Sequence, residues 1–284
     1  MYNRDSTGIG TKMPTVNMTI QNSIFAEGLD TYNHAFGGTL GGNECLVVRN
    51  LFASNVGRNP SISSSAFNYI NNVVFNYWNR TADGIGAYGR LNVINNYYKP
   101  GPITPKGKAI EHRVVKLETS TDNLKRMMNI SQDEQVPAPD QPDRTPRRGH
   151  IYVEGNYVDG NPIVSRDNWE GGVQLSDSSA TGPYTAMLRA KEPAPLPNFS
   201  EKDIMTAEAA FRFVMEKVGA TLPKRDAVDE RIIKTVITGQ AILAPDAEEF
   251  ETPYVKRRLP ADSYKSGIIT HIQQFLVFTN CMQH

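Results

Sequence analysis

The sequence predicts an all-β chain folded as a parallel β-helix, with a C-terminal helical and irregular segment packed on it. Three observations predict this. First, asparagine recurs in one local setting: Asn22 in Ile20-Gln-Asn-Ser-Ile24, Asn50 in Val48-Arg-Asn-Leu-Phe52, Asn72 in Ile70-Asn-Asn-Val-Val74, Asn96 in Ile94-Asn-Asn-Tyr-Tyr98 and Asn156 in Glu154-Gly-Asn-Tyr-Val158. The steps are 28, 22, 24 and 60 residues, a spacing that marks stacked repeats touching only their neighbours. Second, each asparagine lies between two short β-branched or aromatic segments. Third, those segments are apolar enough for a parallel sheet lining a solenoid interior.

Asparagine suits the corner between two such strands. It tolerates left-handed backbone angles and bonds its own backbone. Stacked corners also let one amide bond to the next as a ladder. A β-sandwich with Asn-rich turns is the alternative, but its turns seldom repeat one residue at one register.

The solenoid is expected over residues 1–183. Met18-Thr-Ile20, Leu46-Val-Val48, Ala66-Phe-Asn-Tyr-Ile70 and Leu91-Asn-Val-Ile94 read as strands of the first four coils. The long step from Asn96 to Asn156 reads as one coil plus a surface insertion at about 99–148. Residues 99–108 are rich in Pro, Gly and Lys, 120–130 suit a short helical turn, and 133–148 hold four prolines among charges. The coils resume at His150-Ile-Tyr-Val153.

Residues 184–284 change character. After a proline-rich passage, Ser200 reads as an N-cap with Glu201 and Asp203 in the first turn. Ala207, Ala210, Phe211, Val214 and Val218 follow at helical spacing, and Gly219 ends the run. A second helix is expected over Arg225 to Thr238, closed by Gly239. Both apolar faces are expected to pack on the solenoid, whose last coil needs a cover.

Bulk composition excludes several classes. The 284 residues carry a formal net charge of zero and a mean hydropathy of −0.44. No basic footprint points to nucleic acid, and no apolar run suits a membrane span, so neither partner is expected. The two cysteines, Cys45 and Cys281, exclude a disulfide-rich scaffold. Cys45, in Cys45-Leu-Val-Val48, reads as a core thiol. Met1-Tyr-Asn-Arg-Asp-Ser-Thr has no apolar segment of the signal-peptide kind.

The candidate chemistry lies between the first and third coils. His34-Ala-Phe-Gly-Gly-Thr-Leu-Gly-Gly42 carries glycine pairs that bring backbone close to backbone or to a ligand. Arg58 follows in Asn55-Val-Gly-Arg58-Asn-Pro-Ser-Ile62, where proline restricts the residue before it. From spacing alone, Arg58 could equally be a solvated turn charge. Arg80 stands one coil later in Trp78-Asn-Arg80, where Trp78 could be simple core packing.

These segments resemble the pectate lyases of polysaccharide lyase family 1. Asn50-Leu-Phe-Ala-Ser-Asn-Val-Gly-Arg58-Asn-Pro is similar to that family's stretch leading into Arg-x-Pro, and Asn17-Met-Thr-Ile-Gln-Asn-Ser-Ile-Phe to the preceding coil. Gly219-Ala-Thr-Leu-Pro-Lys-Arg-Asp resembles the C-terminal part of many members. The resemblance spans roughly residues 15–270.

The resemblance implies a right-handed parallel β-helix and a secreted, monomeric enzyme that cleaves polygalacturonate by β-elimination, with calcium (Ca2+) and basic side chains neutralising the uronate. It implies Arg58 as the base, with His34 and Arg80 as substrate contacts. The family's calcium carboxylates lie on coils that precede Asn17–Leu29, and no ligand set is identified in this sequence. A second arginine often follows the proline, where this chain has Ser61-Ile-Ser-Ser-Ser65. An N-terminally truncated member, impaired in activity, is therefore the expectation. The alternative is a non-catalytic carbohydrate-binding or structural β-helix. A β-helix glycosidase would need two carboxylates flanking the bond, and no acidic pair stands beside Arg58.

Overall fold

A computed structural model of the chain describes residues 3–4, 12–13, 16–28, 35–42, 44–64, 66–86, 89–118, 149–176, 188–197 and 199–241. Asn3–Arg4 (β1) and Lys12–Met13 (β2) form a short antiparallel pair. Five coils of three strands follow. The first holds Thr19–Gln21 (β3), Ile24–Ala26 (β4) and Thr39–Gly42 (β5). The second holds Cys45–Val48 (β6), Leu51–Ala53 (β7) and Ser61–Ser64 (β8). The third holds Ala66–Ile70 (β9), Val73–Phe75 (β10) and Ala82–Gly86 (β11). The fourth holds Arg90–Ile94 (β12), Tyr97–Lys99 (β13) and Val115–Glu118 (β14). The fifth holds His150–Glu154 (β15), Tyr157–Val158 (β16) and Val173–Leu175 (β17).

Each coil adds one strand to each of three parallel five-stranded sheets: β3-β6-β9-β12-β15, β4-β7-β10-β13-β16 and β5-β8-β11-β14-β17. This is a parallel β-helix. Strand β14 lies inside the span 99–148, and the rest of that span from residue 119 onward lies outside the described residues, including the turn expected at 120–130. The interior is filled by alternate residues of all three sheets, with Phe52, Phe67, Tyr69, Leu91, Tyr98, Leu117 and Ile151 fully buried. Cys45 is buried there, its thiol donating to the Gly41 carbonyl at 3.7 Å.

The amide ladder exists, and its register differs from the expected one at both ends. Asn50 donates to Asn72 Oδ1 at 3.0 Å, Asn72 to Asn96 at 3.0 Å, Asn96 to Asn156 at 2.8 Å and Asn156 to Asn168 at 2.9 Å. Each acceptor oxygen also takes the backbone N–H one coil below, beginning with Ser23 on Asn50. Asn22 is not a rung of this column. It aligns with Arg49, one residue earlier, because Ile24 pairs with Leu51.

Two adjacent columns divide the work that one asparagine was expected to do. The outer column takes the left-handed backbone: φ is 51° at Asn22, 58° at Arg49, 55° at Asn71, 51° at Asn95 and 67° at Gly155. At the last position a Cβ would meet Asn95 Oδ1 at 1.8 Å, so a larger residue would have to displace that amide. The inner column carries the ladder.

The outer faces of two sheets are covered. Helix α1, Pro162–Arg166, belongs to the last turn of the solenoid. Helices α2, Ala207–Lys217, and α3, Ala227–Thr238, pack Val214, Met215, Val218, Ile232, Ile233 and Val236 on Leu51, Ala53, Val73 and Phe75 of the second sheet. Leu196, Phe199 and Ile204 pack on Leu46, Val48, Ile70 and Ile94 of the first sheet.

The first of these helices begins later than the sequence suggested. Ser200 caps only a 3-10 turn, Glu201–Asp203, and Thr206 caps α2. The cause is Met205, whose N–H donates to Asn71 Oδ1 at 2.9 Å and whose carbonyl accepts from the Asn71 and Asn95 amides at 2.8 Å. The outer asparagine column grips that backbone and takes up the bonds a helix would need. Asp226 caps α3, and Gly239 ends it at φ 73°.

Candidate active site: an arginine row on the third sheet

The third sheet differs from the other two. Its strands alternate, as in Val115-Lys-Leu-Glu118, with apolar residues inward and polar ones outward. One outward column runs Thr39, Ser61, Asp83, Lys116 and Gln174, paired coil by coil. The C-terminal helices and strap do not pack on it, and the 3-10 turn Ala109–His112 reaches only its last member, the Ala109 carbonyl accepting from Gln174 Nε2 at 2.7 Å.

An arginine precedes each central member of this column by three residues: Arg58 before Ser61, Arg80 before Asp83 and Arg113 before Lys116. The three therefore occupy equivalent turn positions on successive coils. Parallel strands stack about 4.8 Å apart, so the guanidinium groups form a row along the solenoid axis.

Arg58 is half-buried, and its backbone is left-handed at φ 52°. The peptide between Asn59 and Pro60 is cis. The Arg58 guanidinium lies 4.2 Å from the centroid of the Phe36 ring and donates from Nη1 to Thr39 Oγ1 at 3.2 Å. Gly37 and Gly38 supply the close approach beneath it. The N–H of Gly38 donates to the Arg58 carbonyl at 2.9 Å, and a Cβ on Gly37 would meet the same oxygen at 2.9 Å. Asn59 is buried and ties the turn to the next coil, donating to the Arg80 carbonyl at 2.9 Å.

Arg80 is largely exposed and faces the Asp83 carboxylate at 3.6 Å. Trp78, beside it in the same turn, is 41% exposed rather than core-packed. Arg113 is more constrained. Its Nε donates to Gln174 Oε1 at 2.6 Å and its Nη1 to the Asn79 carbonyl at 3.0 Å. Burial lowers the Arg113 pKa, while Asp83 opposes that shift.

Asp83 is the buried anion within this row. Desolvation raises its pKa, while a hydrogen bond from Ser61 and the charges of Arg80, Arg58 and Arg113 pull it down. Burial dominates, so its charge is costly where it stands. Sequence reasoning missed both Asp83 and Arg113. Their signal was the repeated three-residue offset from arginine to outward strand residue. His34 lies outside the described residues.

A calcium ion does not fit these residues. It takes six to eight oxygen ligands, and Asp83 stands among guanidinium groups. Among the described residues, no group of three or more His, Cys, Asp or Glu side chains could hold a metal. No described helix is long and apolar enough to cross a membrane.

No protein-family model matches the chain. It is 28% identical over 239 residues to a probable pectate lyase C of Emericella nidulans, covering 82% of this chain and 45% of that protein. A probable pectate lyase C of Aspergillus terreus is 29% identical over 229 residues, covering 78% and 43%. One from Aspergillus fumigatus strain Af293 is 28% identical over 231 residues, with the same coverage. The chain thus spans less than half the length of these curated relatives.

Proposed function

We propose that this chain, a distant relative of the pectate lyases, binds polygalacturonate along its third sheet and cleaves it by β-elimination, with Arg58 as the base. The observation that carries this is the row of three arginines at equivalent positions on the one sheet face that the C-terminal helices and strap leave open. A regular row of cations matches a polymer with one carboxylate per sugar.

The chemistry uses the row in two ways. Removing the proton at C5 places negative charge on the adjacent uronate carboxylate, and fixed positive groups stabilise that charge. The electrons from the C5–H bond form the C4–C5 double bond, the bond to the 4-oxygen breaks, and the departing oxygen takes up a proton. A guanidinium acts as a base only from its neutral form, which nearby positive charge favours. Arg80 is the exposed partner for a substrate carboxylate. Trp78 offers an exposed face for a sugar ring. His34 is a further proposed contact.

Calcium assistance, as the resemblance implies, would need oxygen ligands outside the described residues. The arginine row is therefore assigned the neutralising role. A polysaccharide of the plant wall is met outside the cell, so an extracellular location accompanies this assignment.

The test is absorbance of the 4,5-unsaturated product on polygalacturonate. Wild type should form it, and Arg58→Ala should lower the rate by at least about 1000-fold with unchanged thermal unfolding. Polygalacturonate binding should persist in chelator, because the arginines hold the carboxylates. Retained turnover in Arg58→Ala removes the base assignment.

A second reading is a carbohydrate-binding β-helix without catalysis. It is favoured by the tethering of Arg58 to Thr39 and Phe36. Binding by wild type with no unsaturated product would select it.

A further inference from the structure

A cavity of about 410 Å³ lies beside the arginine row, on the turn side of the solenoid. It opens between the turn that follows β13 and the turn that follows β16. These two turns stack, with the Asp159 N–H donating to the Tyr98 carbonyl at 2.8 Å. Its walls include Pro100, Lys106, Glu111, His112, Asp159 and Asn161. His112 is the chain neighbour of Arg113, so the cavity adjoins the row at its far end. A volume of this size falls within the range of small-molecule sites.

The polar groups are arranged as separate donors and acceptors. Glu111 is fixed through both oxygens, accepting from the Gly107 N–H at 2.6 Å and pairing with Lys106 at 3.4 Å. These contacts hold its pKa below the usual carboxylate range, so it stays an anion. The Asp159 carboxylate is half-buried, and no described residue hydrogen-bonds to it. Asn161 spends its Oδ1 on the Val164 N–H at 3.0 Å, which leaves its amide N–H groups as donors. A Cβ on Gly171 would lie 3.5 Å from the His112 ring, which places that turn beside the imidazole.

The charge balance separates this cavity from the row. Lys106 is already paired with Glu111, and Asp159 adds a second anion. A uronate carboxylate would meet both carboxylates and gain only a neutralised ammonium. A neutral sugar has no such penalty. Its hydroxyl groups can donate to Asp159 and accept from Asn161, and each charge-assisted bond is of the stronger kind. Pro100 supplies an apolar wall for one ring face.

We propose that this cavity is a subsite for a neutral, hydroxyl-rich sugar residue, placed at the end of a groove for acidic sugars. In that position it would receive a neutral branch or end of the polymer whose acidic backbone follows Arg58, Arg80 and Arg113. The proposal rests on the carbohydrate reading of the groove, but its test uses probes the arginines do not bind.

The experiment is calorimetric titration of the whole chain with linear galactotetraose and with arabinotetraose, both uncharged. At least one should bind, and the affinity should not change as salt is raised. Asp159→Asn should weaken that binding at least tenfold, and Lys106→Met should weaken it less. Arg58→Ala should leave it unchanged, which separates this subsite from the lyase assignment. Thermal melts establish that each variant is folded. The same Asp159→Asn protein should bind polygalacturonate no more weakly than wild type, since an anion has been removed. The proposal is overturned if neither neutral probe binds, if Asp159→Asn does not alter their binding, or if that variant weakens polygalacturonate binding as much as Arg80→Ala does.

Discussion

The first two sheets and the third are built from the same coils, yet their outer faces carry opposite chemistry. On the first sheet Leu46, Val48, Ile70 and Ile94 face outward, and on the second Leu51, Ala53, Val73 and Phe75 do. Both faces need a cover, and the C-terminal strap and helices provide it. On the third sheet the same positions hold Thr39, Ser61, Asp83, Lys116 and Gln174, and the C-terminal strap and helices do not pack there. The difference teaches that each coil turns two sides to stability and leaves the third open for the proposed binding role. Substitutions should sort accordingly.

The largest effects belong to the corner between the first two sheets. Asn72 is fully buried, donates to Asn96 Oδ1, the Val47 carbonyl and the Ile70 carbonyl, and accepts from the Asn50 backbone and side chain. Asn72→Ala orphans several buried groups at about 1–3 kcal/mol each. We expect a loss of about 3–5 kcal/mol in urea unfolding. Asn22→Ala, outside the ladder, should cost far less. Equal losses at the two positions would mean that the amide column is not what holds the corner.

Phe75→Ala should follow, at about 3–5 kcal/mol for a buried aromatic under helices α2 and α3. Lys116→Ala, at an outward position of the third sheet, should change stability by no more than about 0.5 kcal/mol. A large loss at Lys116 would erase the contrast between covered and open faces.

The coils, though not the contrast between their faces, were legible in the sequence. The ladder period predicted the coils because a buried amide must meet its partner at one register in every turn. The period also misled by one residue at Asn22, since the left-handed column and the ladder column are adjacent and both favour asparagine. Ser23, at the true ladder position, carries no such signal. Asn168 escaped notice because it reaches the column from the turn after α1, not from a strand corner.

The site was legible only where turn lengths agree. Arg58 and Arg80 each follow their ladder asparagine by eight residues, whereas Arg113 follows Asn96 by 17. The longer turn hides the equivalence that strand register reveals. The offset from Arg80 places Asp83 on the outward column, but nothing in its neighbourhood marks it as buried.

Binding on the open face should respond more modestly. Arg80→Ala removes the most exposed guanidinium of the row and should weaken polygalacturonate binding about tenfold, or ~1.4 kcal/mol, with a shallower dependence on salt. Thermal unfolding should fall only modestly, because Arg58 and Arg113 still offset the Asp83 carboxylate and the Arg80 end of the pair is exposed. A loss of stability without a loss of affinity would place Arg80 among the structural residues instead.

The smallest effect is the most diagnostic of how the open face is tuned. Asp83 has a raised pKa in the folded chain, chiefly from burial. Below the unfolded value, near 3.9, its carboxyl is protonated in both states and contributes nothing to the pH dependence. As pH rises, the unfolded chain ionises first and gains, so the folded state loses stability until its own higher pKa is passed. At neutral pH the full penalty remains. Asp83→Asn should therefore be more stable relative to wild type at neutral pH than at pH 3, in paired urea titrations. It should also bind polygalacturonate more tightly, since the row loses its internal anion. A variant less stable than wild type at neutral pH, with the gap closing in acid, would reverse the sign. Asp83 would then be a structural partner of Arg80 rather than a charge held at a cost within a binding surface.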